Sequence, residues 1–528
     1  MKPITTKHRI LLVLLSVLLL SAGWLGVSGI GLLVALVPLL IISESYGDSL
    51  RDLLRMCGWG TLTFMLWSAA TIWWVWIATP LGPITAGVVG TFWNMVALMA
   101  YHYVSKRAPR ALAYTLFVAI WITTESAYNS AEVMTFPWLL LGHGFSNDIW
   151  AVQWYEYTGL FGGTLWALVS NVAIFEVLRT RTRRAKVRAA LVALVPMILS
   201  IGIYMTYDNS ASRYARVAVV QPNAACYSDS FVESDAVASL VKSVDEGVQF
   251  VVMPESSLCY IDSFVYSNGH PESLDEANLS RYAHSLKMLF GQRDSMMMIT
   301  GASTRRHYGQ KPQTTTAHYA ESFGYYDNYN SALLVDSDGV IEDVYHKGKL
   351  VIGVEATPMP ELLEAVDLGG ISGQLGWGEG HKVFANDGVV VGPAICYEGL
   401  YGDYFAGFVR KGANLMAVIS NDGWWGNTPG HKRLFDFCRL RAIECRRAIA
   451  RSANTGISGF IAPDGRTIGG RLEWDERGVL TADLPLCDEV TFYVRYGDLI
   501  ARVSLFVSAL GAMYFVAYRA RRRNHLVD

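Results

Sequence analysis

Eight apolar segments limit what this chain can fold into more than any other feature of its sequence. A helix that crosses a bilayer needs about 20 largely apolar residues, and each segment reaches that length or approaches it with its flanking residues. Hydrophobic residues make up 52% of the chain, which is high for a soluble enzyme. We therefore expect a polytopic α-helical membrane bundle of eight transmembrane helices. The segments are residues 10–23, 29–42, 57–78, 85–104, 111–124, 158–177, 189–207 and 499–518.

Lysine and arginine lie on one side of this predicted bundle. They precede the first segment, recur between segments two and three, four and five, and six and seven, and follow the eighth, whereas loops 24–28, 78–84 and 125–155 contain neither. A cleaved signal peptide is the alternative for the basic start, but a second apolar segment follows it almost at once. By the positive-inside rule both termini are cytoplasmic. This divides the chain into a seven-helix region (1–208), an extracytoplasmic domain (209–498), and an eighth helix with a basic cytoplasmic tail (499–528).

The outer domain alternates strand-like and helix-like segments. Apolar runs indicate buried strands, helical patterns lie between them, and two further segments flank an Asp-Gly pair, as short hairpins do. Together these features predict an α/β domain with mixed sheets. The strands are expected at 216–220, 249–253, 295–301, 389–395 and 412–420, the helices at 234–246, 274–291 and 432–451, and the hairpins at 331–344 and 458–469.

The outer domain has no pattern typical of a metal or nucleotide site. Six of the seven cysteines fall in it without the Cys-x-x-Cys or Cys/His spacing of a metal site, and any disulfide pairing is left open. Cys438 and Cys445 are expected to face a core. Without a phosphate loop or nucleotide fingerprint, we expect no cofactor. The arginines of 432–451 are interleaved with Asp436 and Glu444, which favours a solvated or ion-paired helix face over nucleic acid binding.

Three reactive side chains stand at the ends of predicted elements. Glu255 follows a strand, Lys347 follows a hairpin, and Cys396 ends the strand 389–395. Each alone is more often an exposed turn residue or a core thiol. Together they form a complete acyl-transfer set, in which a carboxylate takes the thiol proton, the thiolate attacks a carbonyl and an ammonium stabilises the oxyanion.

The motifs around these residues resemble the nitrilase superfamily. They are Pro254-Glu255, Tyr345-x-Lys347-x-x-Leu350-Val351 and Cys396-Tyr397-Glu398. A nitrilase-like domain placed between the seventh and eighth of eight helices is similar to the apolipoprotein N-acyltransferases, a membrane-embedded branch of that superfamily. The resemblance implies an α-β-β-α sandwich in which Glu255 is the base, Lys347 the oxyanion stabiliser and Cys396 the nucleophile.

The resemblance also implies the reaction and its partners. The family moves an acyl chain from a phospholipid, usually phosphatidylethanolamine, to the cysteine as a thioester. It then passes the chain to the N-terminal diacylglyceryl-cysteine of a bacterial lipoprotein, on the periplasmic side of the inner membrane. A membrane-anchored enzyme suits two lipid substrates, because a soluble one would expose their tails at about 0.8 kcal/mol per CH₂.

Further residues carry over by position. Glu355 matches a further family glutamate, although 350–355 lacks the family's proline, and Met253 stands where the family has tryptophan. Lys349 is a neighbouring rival to Lys347, which lies in the Tyr-x-Lys register. The supporting residues implied are Glu355, Tyr397 and Glu398, and the candidate acyl or lid contacts, which are equally well explained as packing aromatics, are Trp424 and Trp425.

Two other functions remain open at this point. A membrane-anchored nitrilase-type amidase would share the thioester and release an acid to water, but it would need only one anchor. A transporter or sensor with a ligand-binding outer domain is disfavoured, because ionisable residues are few at the middle of the predicted helices. Within the acyltransferase interpretation, the Gly- and Leu-rich segment 356–380, with Trp377, is predicted to be a mobile lid at the membrane surface.

Overall fold

The computed structural model describes residues 4–131, 135–224, 234–257, 264–267, 270–271, 287, 295–322, 324–357 and 374–524. The chain forms two compact units. One comprises residues 1–76, 81–206 and 496–528, and the other 77–80 and 207–495. The α-helices are α1 (Thr6–Ser21), α2 (Val37–Glu44), α3 (Leu50–Ile72), α4 (Val75–Ala78), α5 (Gly82–Ser105), α6 (Arg110–Ser130), α7 (Tyr155–Thr158), α8 (Leu160–Thr180), α9 (Arg183–Thr206), α10 (Ser234–Lys242), α11 (Gly402–Arg410), α12 (Pro429–Cys445), α13 (Phe492–Tyr496) and α14 (Leu499–Asn524).

The first unit is helical, and four of its helices are long and apolar enough to cross a membrane. These are α5, α8, α9 and residues 499–522 of α14, with mean hydropathies between 1.4 and 2.1. All eight predicted apolar segments overlap helices, but by length and composition only four qualify among the described residues. The second segment is divided into a 3₁₀ turn, Gly29–Leu33, and the short helix α2.

Buried polar side chains satisfy the backbone where these helices are broken. Asn171 accepts hydrogen bonds from the N–H groups of Leu36 and Val37 and donates to the carbonyl of Leu32, at the break before α2. Glu125 accepts from the indole of Trp121, the backbone of Leu141 and the hydroxyl of Thr164. Irregular backbone is tolerated in such a unit only where polar groups find protein partners.

The second unit is built on two β-sheets. The strands are β1 (Tyr214–Gln221), β2 (Phe250–Val252), β3 (Phe264–Ser267), β4 (His270–Pro271), β5 (Met297–Gly309), β6 (His318–Ala320), β7 (Gly324–Val335), β8 (Ile341–His346), β9 (Phe384–Asn386), β10 (Val389–Ile395), β11 (Leu415–Ser420), β12 (Ile449–Ala453), β13 (Ser458–Ile461), β14 (Thr467–Leu472) and β15 (Gly478–Pro485). Among the described strands, one sheet has the order β15-β1-β2-β5-β3-β4. In the same sheet β7 also pairs with β5, and β6 and β8 pair with β7. The other sheet has the order β14-β13-β12-β11-β10-β9.

Helices cover the sheets, and the sheets meet through polar contacts. Val237 and Val241 of α10 pack with Val251 and Met298 of the first sheet, while α11 and α12 pack against strands of the second. Ser452 of β12 donates to the carbonyl of Val220 in β1, at 2.7 Å. The expected α/β domain with mixed sheets is therefore present, since both sheets contain parallel and antiparallel pairs.

The predicted helix 432–451 is too long at its carboxyl end. It ends at Cys445, because Arg446 takes a left-handed conformation with φ of +47° and closes the helix. Residues 449–453 then form the fully buried strand β12, so that Arg451 lies in a sheet and not on a helix. The predicted helix 274–291 lies largely outside the described residues.

Candidate active site

Cys396 stands at the turn that follows the strand β10. This strand runs parallel to β11 with Ile395 opposite Ile419, so the carboxyl ends of both strands open at one edge. Cys396 begins a 3₁₀ turn and has φ of +48°, a left-handed conformation that is uncommon for a residue with a side chain. Such strain is held by the surrounding structure and is typical of functional sites. The residue is only 6% exposed.

Lys347 lies between two carboxylates. Its Nζ is 3.0 Å from Oε1 of Glu255 and 3.0 Å from Oε1 of Glu355. The lysine side chain is 1% exposed and the glutamates 6% and 12%, so the ion pairs are shielded from water. Because a buried ammonium requires compensation, the two carboxylates are what allows this lysine to stay charged.

Burial and charge act on the two reactive groups in opposite directions. Burial acts to lower the pKa of Lys347, but the charges of Glu255 and Glu355 outweigh it and raise that pKa above its ordinary value. Burial raises the pKa of the Cys396 thiol well above its ordinary value, Glu255 raises it further, and Lys347 lowers it. The resting site therefore pairs a protonated lysine with a neutral thiol, and the thiol needs a base when it reacts.

Asn330 is a site residue that the sequence patterns did not single out. Its Nδ2 donates to Oε1 of Glu255 and Oε1 of Glu355, both at 2.7 Å. The backbone carbonyl of Asn330 accepts a hydrogen bond from the backbone N–H of Lys347, at 2.8 Å. An amide in the middle of the otherwise partly apolar strand β7 is a signal that could have found it. The other oxygen of Glu255 accepts the N–H of Asn421 at 3.0 Å, which completes the fixation of the carboxylate.

Glu398 ties the cysteine turn to the lysine loop. One carboxylate oxygen accepts the backbone N–H of Ile395 at 2.7 Å. The other accepts the N–H of Gly348 at 2.7 Å and the hydroxyl of Tyr345 at 2.5 Å. Burial raises the pKa of Glu398 to about 7, against the opposing effect of these hydrogen bonds. Glu398 thus bridges the residue before the thiol and the residue after the lysine.

The remaining predicted residues lie around this cluster in different roles. Tyr397 is buried with its ring edge-on to Tyr401. Trp424 and Trp425 are half-buried in a 3₁₀ turn after β11. Lys349, the rival lysine, holds its Nζ 5.2 Å from the ring centroid of Tyr401, so Lys347 and not Lys349 meets the two carboxylates.

A second buried ion pair lies beside the cysteine turn. Arg451 contacts both oxygens of Asp422, at 3.1 and 2.9 Å, and Ser420 donates to the same carboxylate. Both charged side chains are fully buried. Cys438 and Cys445 are buried free thiols, as expected. No group of three or more His, Cys, Asp or Glu side chains that could hold a metal occurs in the described part of the chain.

A polar cavity of 320 Å³ opens beside the carboxylates. The adjoining backbone of 374–378 is held by three backbone hydrogen bonds. The N–H groups of Leu375, Gly376 and Gly378 donate to the backbone carbonyls of Glu355, Asn328 and Lys347, respectively. This end of the predicted lid is therefore hydrogen-bonded, while residues 358–373 lie outside the described residues. The polar lining residues are Ser256, Ser303, Arg305, Asn328, Asn330 and Glu355.

Comparison with known proteins places this chain in a family. Residues 216–491, more than half of the chain, match the carbon-nitrogen hydrolase family, and residues 11–173 match the apolipoprotein N-acyltransferase N-terminal domain. The chain is 28% identical to an apolipoprotein N-acyltransferase of Chlorobaculum tepidum over 91% of its own length and 90% of the relative's. It is 27% identical to that of Bradyrhizobium diazoefficiens, over 80% and 75%.

Among solved structures, an amidase of Nesterenkonia from the nitrilase superfamily is similar at 16% identity and a TM-score of 0.37, over 56% of this chain and 98% of that one. The two family matches lie on the helical and α/β units in the order that the apolar segments and the Glu, Lys and Cys motifs predict. The chain therefore belongs to the carbon-nitrogen hydrolase family and, within it, to the apolipoprotein N-acyltransferases.

Proposed function

We propose that this membrane enzyme N-acylates the N-terminal diacylglyceryl-cysteine of bacterial lipoproteins, through a thioester on Cys396. The observation that carries the proposal is the Lys347 ammonium held 3.0 Å from both Glu255 and Glu355, with a buried thiol at the adjacent strand edge. The relatives that match most of the chain are named apolipoprotein N-acyltransferases. The acyl donor is a phospholipid, of which phosphatidylethanolamine is our specific proposal.

In the first half-reaction Glu255 takes the proton of the Cys396 thiol. The thiolate attacks an ester carbonyl of the phospholipid, and the ammonium of Lys347 stabilises the oxyanion of the tetrahedral intermediate. When the intermediate collapses, the bond between the carbonyl carbon and the ester oxygen breaks. The proton held by Glu255 passes to the leaving alkoxide, so lysophospholipid departs and the acyl chain remains on sulfur.

In the second half-reaction the α-amino group of the acceptor attacks the thioester. Glu255 takes a proton from the attacking amine, and Lys347 again stabilises the oxyanion. The carbon–sulfur bond then breaks, and the proton returns to sulfur, which restores the thiol and releases the amide. Glu355 and Asn330 serve this cycle by holding Lys347 and Glu255 in place.

We also propose the membrane arrangement that the charge pattern predicts. All eight apolar segments cross the bacterial inner membrane, both termini are cytoplasmic, and residues 209–498 form the periplasmic catalytic domain, flanked by 1–208 and 499–528. Four helices meet the length and hydropathy expected of a span. For the other four we rely on the basic residues, which occur in every second loop of the predicted bundle. Cysteine accessibility from each side of the membrane at 24–28 and 179–188 would test the orientation.

The chemical proposal is tested by trapping the acyl-enzyme. Full-length protein in detergent is mixed with phospholipid labelled in its acyl chain, and we expect label on the wild type that hydroxylamine removes, as it does from thioesters. Cys396→Ser should give no such label, whereas Cys487→Ser, which removes another thiol, should behave as wild type. Acyl release that requires the diacylglyceryl peptide supports transfer, and release without it would instead indicate an amidase-type hydrolase. Wild-type protein that never becomes labelled would refute the mechanism.

A further inference from the structure

We propose that the Ser420 hydroxyl is a further catalytic group of this site, which donates a hydrogen bond to the Cys396 sulfur whenever that sulfur carries negative charge. Asp422 and Arg451 are positioning residues that hold the hydroxyl in place before the reaction. The inference rests on the proposed acyl transfer and adds a neutral donor to the thiol, base and ammonium described above.

Ser420 and Cys396 follow neighbouring strands at the same edge of the second sheet. In the parallel register of β10 and β11, Ile395 is opposite Ile419, so the next residues along the two strands are Cys396 and Ser420. Neighbouring strands lie about 4.8 Å apart, and both residues are buried, with exposed fractions of 6% and 0%. The two side chains therefore leave the sheet next to each other, in a place shielded from water.

A hydrogen bond from Ser420 already acts on the thiol. Burial raises the pKa of Cys396 well above its ordinary value and the charge of Asp422 adds to this rise, whereas the hydrogen bond from the Ser420 hydroxyl lowers that pKa. A donor that lowers the pKa of a thiol does so because it stabilises the thiolate. The titratable and charged groups on the elements packed around the cysteine turn are Glu255, Lys347, Glu398, Asp422, Cys438 and Arg451.

Asp422 is held in a fixed position beside the serine. Arg451 contacts both of its carboxylate oxygens, at 3.1 and 2.9 Å, and its backbone N–H donates to the carbonyl of Thr455 at 3.2 Å. Gly456 has φ of +143°, and a Cβ added there would lie 2.4 Å from Oδ2 of Asp422, so a glycine is needed where the chain closes over the carboxylate. Ser420 donates to Oδ1. The carboxylate therefore stays in place when the hydroxyl hydrogen turns away from it.

One hydroxyl hydrogen can serve the two acceptors in turn. In the resting site it is donated to Asp422, and the lone pairs of the hydroxyl oxygen remain for the thiol. When Glu255 takes the thiol proton, the sulfur becomes an anion that needs a donor. Arg451 continues to compensate the charge of Asp422, so the hydroxyl loses little when it turns to the sulfur.

The same contact forms twice in the catalytic cycle. The thiolate appears first when the thiol is deprotonated, and again when the carbon–sulfur bond of the thioester breaks. In both cases Ser420 keeps its proton, Glu255 carries the proton that leaves or returns to sulfur, and only hydrogen bonds of the serine change. The ammonium of Lys347 is shared between two glutamates, so a neutral donor on the sulfur adds to what the lysine supplies.

The first test measures the thiol directly, without an acyl donor. The rate of alkylation of Cys396 by iodoacetamide is followed against pH in full-length wild type, Ser420→Ala and Ser452→Ala, on the peptide that contains this cysteine. Ser452 is the matched control, because it is a fully buried serine of the neighbouring strand β12 that donates to the carbonyl of Val220 at 2.7 Å. We expect Ser420→Ala to raise the midpoint of alkylation by about 1 to 2 pH units, the range of a hydrogen bond to a charged group, and Ser452→Ala to leave it unchanged.

The second test measures single-turnover acylation by labelled phospholipid. Ser420→Ala should lower the rate at saturating phospholipid about 10- to 100-fold. It should leave the KM for phospholipid within about 2-fold, because the serine contacts the sulfur and not the donor. Ser452→Ala should keep the wild-type rate, although it also loses a buried hydrogen bond.

The outcomes separate this inference from the proposed function. An unchanged alkylation midpoint in Ser420→Ala, or an equal rise in Ser452→Ala, would overturn the role of Ser420 and leave acyl transfer intact. Wild type that is never labelled by phospholipid would overturn acyl transfer, and the alkylation midpoints alone would then decide whether Ser420 stabilises the thiolate. If Ser420→Ala does not fold, Ser420→Cys replaces it. Because a thiol is a weaker donor than a hydroxyl, the midpoint should again rise, and a wild-type midpoint in that variant would overturn the proposal.

Discussion

Replacing Glu398 with glutamine removes the carboxylate that joins the cysteine turn to the lysine loop. The carboxylate accepts three close hydrogen bonds, from Ile395 N–H on one oxygen and from Gly348 N–H and the Tyr345 hydroxyl on the other. An amide has only one oxygen. Whichever way the new amide is oriented, its NH₂ group therefore faces a buried backbone N–H that has lost its acceptor.

The size of the effect follows from that unmade bond. A buried donor without an acceptor costs about 1–3 kcal/mol, so we expect the free energy of unfolding to fall by about that amount. The rate should fall as well, because Ile395 precedes the thiol and Gly348 follows Lys347. A misplacement of about 1 Å between reacting groups costs about 100-fold, and we expect a loss of about 10- to 100-fold in single-turnover acylation of Glu398→Gln.

Denaturant unfolding in detergent and single-turnover acylation measure the two effects. Tyr345→Phe is the matched control, since it removes one hydrogen bond to the same carboxylate but leaves no backbone N–H without an acceptor. It should cost about 0.5–1.5 kcal/mol and leave the acylation rate within a few-fold. If Glu398→Gln cost no more than Tyr345→Phe in both measurements, the bridging role of this carboxylate would be wrong.

Three other substitutions test separate parts of the structure. Lys347→Met leaves two buried carboxylates without their ammonium, so we expect no acylation and a loss of about 3–5 kcal/mol in unfolding free energy. The double variant Lys347→Met/Glu355→Gln should recover part of that stability, because it removes one of the two unpaired charges. Gly23→Ala places a Cβ 2.3 Å from the carbonyl of Gly144 and should lower the thermal midpoint, whereas Gly58→Ala, with no atom within 4 Å, should not. Burial, aided by the charge of Lys382, lowers the pKa of His346 from 6.5 to about 3. Between pH 6.5 and pH 3 the unfolded chain therefore binds more protons than the folded chain, so the free energy of unfolding falls as the pH drops through this range. His346→Gln should lose less stability than wild type between pH 7 and pH 5 in the same denaturant titration.

The local motifs predicted which side chains stand at the ends of elements and the α/β class of the outer domain. Strand, turn and hairpin signals located Glu255, Lys347 and Cys396 at element ends, because short-range periodicity and turn chemistry are local properties of the chain. The same reasoning predicted too long a helix at 432–451. The left-handed residue that ends the helix is Arg446, whereas glycine or asparagine is the usual sequence signal for such an end. Arg451 then falls in a buried strand, where Asp422 compensates its charge.

What the sequence by itself determined is the division into apolar helices and an α/β domain, together with the chemical types available for catalysis, since hydropathy and residue type do not depend on contacts. Only the tertiary structure decided which groups meet. Asn330, Glu355 and Glu398 are far from one another along the chain, and strand register and chain packing bring them onto Lys347 and the cysteine turn. A buried charge is stable only with its partners in place, and those partners are a property of the fold.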